Sequence, residues 1–143
     1  MRISDILAYK GRHIYRARSN EMVGAAVARL SEHNIGALLV EDPWGKYVGL
    51  FSERHFVHGL DRYGAEVLER PVGELTIPDR IACHPGDRVS RVMELMTVHR
   101  IRHMPVEVDG AMIGIVSIGD LVRGILSEKE LEVDVLRDMA QPH

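Results

Sequence analysis

Apolar residues at Val23, Ala26, Val27 and Leu30 are spaced i, i+3, i+4 and i+7, which marks one face of a helix. Val89, Val92, Met93 and Met96 repeat that spacing after a shift of about 66 residues. Under the same shift Ser31-Glu32-His33-Asn34-Ile35 falls on Thr97-Val98-His99-Arg100-Ile101, and Leu38-Leu39-Val40 on Met104-Pro105-Val106. After a single-residue change in a turn, Val48-Gly49-Leu50-Phe51-Ser52 meets Ile113-Gly114-Ile115-Val116-Ser117. Apolar phase and turn positions coincide together, so the chain is read as two copies of one unit.

Each copy predicts the order βαββα. A short strand opens it, at residues 14–17 and 80–83, and the amphipathic helix follows. Ser19 and Asn20 are the side chains expected to cap the first helix, and Pro85-Gly86-Asp87 is expected to start the second. Two strands then form a hairpin. In copy one they flank Asp42-Pro43-Trp44-Gly45; in copy two they flank Asp109-Gly110, a strong two-residue turn signal. A closing helix is expected over residues 52–60 and again over 117–126. Ile3-Ser4-Asp5-Ile6-Leu7 and Val72-Gly73-Glu74-Leu75-Thr76 also match, each as one helical turn ahead of its copy. A last helix, with Leu131, Val135 and Met139 along one side, is expected over residues 128–140 as packing or a dimer seam.

The fold class is therefore α/β (α+β): two tandem βαββα repeats facing each other across a pseudo-twofold, plus a C-terminal helix. Along the chain the units are residues 1–70, 71–127 and 128–143, with Pro71 at the junction. A unit of about 60 residues holds little core alone, so each sheet needs the other copy as cover.

Composition narrows the function. The formal charge is -3, which offers no basic field for nucleic acid. No apolar run approaches the roughly 20 residues that span a bilayer, and residues 1–10 lack the pattern of a signal peptide. Cys83 is the only cysteine and reads as a small buried hydrophobe. A cytoplasmic protein without membrane or nucleic-acid partners is expected.

The run Ile101-Arg102-His103-Met104-Pro105-Val106, then Gly110, then Ile113-Gly114-Ile115-Val116-Ser117-Ile118-Gly119-Asp120-Leu121 resembles the CBS (cystathionine-β-synthase) domain. Copy one carries the same frame as Ile35-Gly36-Ala37-Leu38-Leu39-Val40 and Val48-Gly49-Leu50-Phe51-Ser52-Glu53-Arg54-His55. The resemblance covers residues 3–126 and is similar to the stand-alone, two-copy members of that family. It implies a regulatory adenine-nucleotide sensor for AMP, ADP, ATP or NAD(H), with no catalytic cofactor. It also implies a homodimer that associates through its helices, with a regulated protein as a further partner.

The residues themselves support a sugar-phosphate site. Ser117 stands where a strand becomes a helix, so its hydroxyl and the free N–H groups of the first turn point outward together, an arrangement that favours phosphate. Asp120 lies one turn along, where a carboxylate can accept two hydrogen bonds from a ribose diol. The same pair also serves as an N-cap and a dipole-matched charge, and the two roles are compatible. The resemblance implies that Asp120 holds the ribose and that Arg102 and His103, at the mouth of a strand, face phosphate in the central cleft. Arg123 either adds to the phosphate site or lies on the surface. Ile81, Ala82 and Cys83, with Ile101, are the candidates for an apolar adenine slot.

Copy one departs from the family frame by having His55 where the acid belongs. Imidazole cannot accept two hydrogen bonds at once. Ser52, His55 and Gly36 thus form a weaker first site, and Asp120 marks the better one. Two rivals stand beside this reading. A metal enzyme would draw on eight histidines, notably His55 with His58 and His99 with His103, but no acid or cysteine completes either set at ligand spacing. No metal site and no catalytic residue are expected. A ligand-free dimerisation module is the second rival, and the retention of Ser117 and Asp120 argues against it.

Overall fold

A computed structural model describes residues 1–11, 13–76 and 81–140. The repeat is visible element by element. Helix α1, Ile3–Lys10, leads into strand β1, Arg16–Arg18, helix α2, Val23–His33, the hairpin β2, Ala37–Glu41, and β3, Tyr47–Ser52, and helix α3, Glu53–Tyr63. Two short 3-10 turns, Gly64–Glu69 and Val72–Glu74, cross to the second copy. There α4, Val89–His99, precedes β4, His103–Val108, β5, Ala111–Ser117, and α5, Ile118–Ala140.

Matching positions take matching conformations. Helices α2 and α4 end on the left-handed residues Asn34 (φ 52°) and Arg100 (φ 54°). Both hairpins are antiparallel and carry a register shift, at Val40/Glu41 in one and Val106/Glu107 in the other. In copy one β1 pairs in parallel with β2, setting Ala17 against Val40. In copy two the expected opening strand is reduced to one parallel bridge, Cys83 to Val106, at the same register. Arg80, the first residue expected in that strand, lies outside the described residues. The Asp109-Gly110 turn has φ of 50° and 82°, both left-handed as its strand twist requires.

The cores do not follow the chain. Ile3, Ile6 and Leu7 of α1 are buried with Val92, Met96, Met104 and Val116 of the second copy. Val72 and Leu75, which lead into copy two, are buried with Val23, Leu38, Phe51 and Val67 of the first. Each copy thus lends its lead-in to the other. Backbone bonds repeat the exchange: Ile3 N–H donates to the Asp87 carbonyl at 2.9 Å and Val72 N–H to the Glu21 carbonyl at 2.7 Å. Gly124 and Gly59 hold the same place in α5 and α3. A side chain at Gly124 would strike Ile6, and a Cβ at Gly59 would stand 2.5 Å from Leu75 Cδ2. A third cluster, Ile14, Leu39 and Leu50 with Met112 and Ile115, joins the two sheets.

The exchange corrects the expected caps. The N-caps are Met22 and Arg88, and neither bonds through its side chain. Instead the first free N–H of α2, at Val23, donates to the Arg70 carbonyl at 2.8 Å, and that of α4, at Val89, to the Met1 carbonyl at 3.1 Å. Ser19 and Asn20 form a turn, and Asp87 accepts from the His84 N–H at 2.8 Å. The closing helix of copy two and the last helix, expected apart, are one continuous helix, because no glycine or proline interrupts residues 125–140.

Replacing Leu7, 1% exposed, tests the exchange. Leu7→Ala is expected to cost about 3 kcal/mol of unfolding free energy, read from urea midpoints. Amide hydrogen exchange should quicken first in β4 and β5, although residue 7 precedes copy one; earlier loosening of β1 to β3 would contradict the exchanged cores.

Candidate functional site

Strand β5 ends at Ser117, which pairs with His103 at the start of β4, and α5 begins at the next residue. This corner is closed by a reciprocal cap. Asp120 Oδ2 accepts the Ser117 N–H at 2.8 Å, and Ser117 Oγ accepts the Asp120 N–H at 3.1 Å. The Asp120 side chain is 9% exposed yet meets two cations. Lys10 Nζ donates to Oδ2 at 2.6 Å and Arg123 Nη2 to Oδ1 at 2.8 Å. Lys10 also donates to the Ile115 carbonyl at 2.7 Å.

Burial raises the Asp120 pKa, but the Lys10 hydrogen bond and ion pair, with the Ser117 N–H and hydroxyl, outweigh it and hold the carboxyl below its ordinary value. The acid is therefore ionised at neutral pH. Lys10 was not among the residues singled out from sequence. It stands 110 positions from Asp120, and only the transfer of α1 to the second core brings the two together.

His103 and Gly36 meet where the copies face each other. A Cβ at Gly36 would lie 2.7 Å from His103 Nε2, so a larger residue there would displace this ring. The matching backbone bonds are Ile118 N–H to the Arg102 carbonyl, 2.8 Å, and Glu53 N–H to the Gly36 carbonyl, 3.2 Å. Desolvation lowers the His103 pKa, and Lys10 and Arg102 lower it further against the opposing fields of Glu53 and Asp120. Arg102 is exposed at the strand mouth, and its guanidinium makes no hydrogen bond or ion pair among the described residues. Lys10 and Arg123 thus bracket one nearly buried carboxylate, and His103 lies within its electrostatic field.

The other expected residues divide. Arg123 is on the surface, 69% exposed, while still paired to Asp120. Ile81, Ala82 and Ile101 are half-buried beside the second core. Cys83 is the small buried hydrophobe expected from the sequence: its side chain lies in the second core, its N–H donates to the Pro105 carbonyl at 2.9 Å, and its own carbonyl accepts the Glu107 N–H at 2.8 Å. Burial pushes its thiol pKa up to about 12. In copy one the corner is closed in the same way: His55 Nδ1 accepts the Ser52 N–H at 3.0 Å and lies 2.9 Å from Ser52 Oγ. His55 therefore reproduces the capping half of Asp120's role without its charge.

Comparison with known proteins matches the CBS domain family to residues 72–127. A mitochondrial CBS domain-containing protein of Arabidopsis thaliana is 34% identical over 147 residues, spanning 97% of this chain and 71% of that one. A CBS-domain protein of solved structure from Agrobacterium tumefaciens is 35% identical, with a TM-score of 0.82 over 85% of this chain and 91% of its own. A CBS domain pair solved in complex with 5′-methylthioadenosine and S-adenosyl-L-methionine is 26% identical, with a TM-score of 0.75 over 87% and 99%. Among the described residues no helix is long and apolar enough to cross a membrane.

The sign of the His103 effect is testable. A histidine whose folded-state pKa is lowered binds more protons when unfolded, so its contribution is complete above the unfolded value of about 6.5 and is lost as pH falls below it. The thermal midpoint of the wild type should therefore drop more steeply between about pH 7 and pH 5 than that of His103→Gln. Parallel slopes would show that His103 is not held neutral by the fold.

Proposed function

The chain belongs to the CBS domain family, and from that premise we propose that it is a regulatory sensor of an adenine nucleotide, AMP, ADP, ATP or NAD(H), held at the Ser117–Asp120 corner. One observation carries the reading: an ionised carboxylate, nearly buried at a strand-to-helix corner, paired with Lys10 and Arg123, with His103 and the exposed Arg102 at the neighbouring strand mouth. The acid suits a ribose diol and the cations suit phosphate. Half-buried Ile81, Ala82 and Ile101 offer apolar surface for the base. The solved neighbour that binds adenosine-containing ligands supports an adenosyl ligand here.

In this reading the module is not an enzyme. Ligand energy is spent on shifting the relative pose of the two copies, and the shift is bounded by the ligand's differential affinity for each pose. The copy-one corner, with Ser52, His55 and Gly36, is the weaker site because His55 has no second acceptor to offer. The module works in the cytoplasm on a regulated protein partner, whereas the plant relative is mitochondrial.

Calorimetric titration with AMP, ADP, ATP, NADH and S-adenosylmethionine tests the proposal. At least one nucleotide should bind with one strong site per chain, and Asp120→Ala should weaken it by at least about tenfold. Undiminished affinity in the variant would remove Asp120 from the site.

We further propose a homodimer through α3 and α5. Val57 and Val122 occupy the same repeat position and are 62% and 40% exposed, with Leu60 and Leu126 beside them at 43% and 55%. Such a patch on two helices favours a second apolar surface. This is also the observation that favours a ligand-free dimerisation module. The double variant Val57→Asp/Val122→Asp should elute as a monomer by light scattering while keeping its circular dichroism; an unchanged mass would place the interface elsewhere.

A further inference from the structure

The hydrogen-bonding capacity of Asp120 decides what kind of adenosyl compound this corner takes. Oδ2 already accepts the Ser117 N–H at 2.8 Å and Lys10 Nζ at 2.6 Å, which fills its two lone-pair sites. Oδ1 accepts only Arg123, at 2.8 Å, and keeps one site open. A 2′,3′-diol that forks onto a carboxylate needs an open site on each oxygen. The Ser117 N–H is main chain inside the cap and cannot withdraw. Lys10, on a flexible stem and 35% exposed, can.

Resting on the nucleotide reading above, we propose that Lys10 is the specificity-determining residue of the site, exchanging its bond to Asp120 for one to the ligand's phosphate. A ribose hydroxyl takes the vacated place on Oδ2, and the released ammonium pairs with phosphate beside Arg102 and His103. No bond other than hydrogen bonds changes, and the net charge in the cleft is balanced only if the incoming ligand is an anion. A neutral nucleoside or thioether gives Asp120 a hydroxyl in place of the ammonium but offers Lys10 no anion. A sulfonium such as S-adenosylmethionine adds a further positive charge. The site therefore selects phosphorylated adenosine over unphosphorylated adenosine through a residue that touches both partners in turn.

The geometry that places Lys10 supports this assignment. Helix α1 is locked against α5 by Ile6 over Gly124, so its last turn is fixed relative to the corner, while the flexible Lys10 stem is tethered only at its tip, to Asp120 and the Ile115 carbonyl, and swings by giving up those two bonds. Lys10 and His103 already share one electrostatic environment, since both face Asp120.

Titration of the full chain with adenosine and with AMP, for wild type, Lys10→Met and Lys10→Arg, tests the exchange. Lys10→Met should bind adenosine about tenfold tighter, since no ion pair must be broken, and AMP about tenfold weaker, since the phosphate loses a cation. Lys10→Arg should retain most of the AMP preference and serves as the control for folding. Shifts of both ligands in the same direction, or an unchanged preference in Lys10→Met, would overturn the exchange while leaving the nucleotide site standing. Failure of the wild type to bind either compound would overturn the nucleotide reading and the exchange with it.

Discussion

Neither half of this protein closes its core with residues from its own stretch of chain alone. The constraint that organises the molecule is the reciprocal loan of lead-ins: Ile3, Ile6 and Leu7 complete the second core, and Val72 and Leu75 complete the first. Each loan is sealed twice, once by apolar burial and once by a backbone N–H given to the other copy's α2 or α4 approach. Full burial of one such aliphatic side chain contributes roughly 2 kcal/mol, so the five together are a large share of a stability that is typically about 5–15 kcal/mol. The two repeats are thus one folding unit, whatever their separation along the chain.

The site inherits its shape from that loan. Because α1 must lie on α5 to fill the second core, its last residue arrives beside Asp120. Because β4 must pair with β5, His103 stands opposite Ser117 and over Gly36. The arrangement of charges at the corner is therefore a by-product of how the cores close, which explains why a lysine from the first turns of the chain pairs with an acid near its end. In copy one the scaffold is the same, but the cap is an imidazole, and the buried anion is missing.

Much of this was legible in the amino-acid pattern, and the parts that were not share a cause. The apolar faces of α2 and α4, the two hairpins and the Ser117–Asp120 cap rest on contacts within a few residues, so local spacing reveals them. The opening strand of copy two was overdrawn, since Cys83 makes only a single bridge. The expected Ser19 and Asn20 caps failed because carbonyls of the exchanged segments satisfy the helix starts from a distance. Lys10 was invisible for the same reason: its position has no periodic or motif signature, and its partner is set by tertiary packing. Helix α5 runs through the end of the second repeat because that boundary carries no glycine or proline to stop it.

That unbroken helix has a mechanical side. Its first turn is the corner that holds Asp120, while residues 129–140 are exposed along their whole length. At 1.5 Å of rise per residue it is a rod about 35 Å long, so a tilt of about 10° at the corner carries the far tip about 6 Å sideways. A displacement too small to notice at the carboxylate is read out, by leverage alone, as a change of surface more than a side chain wide.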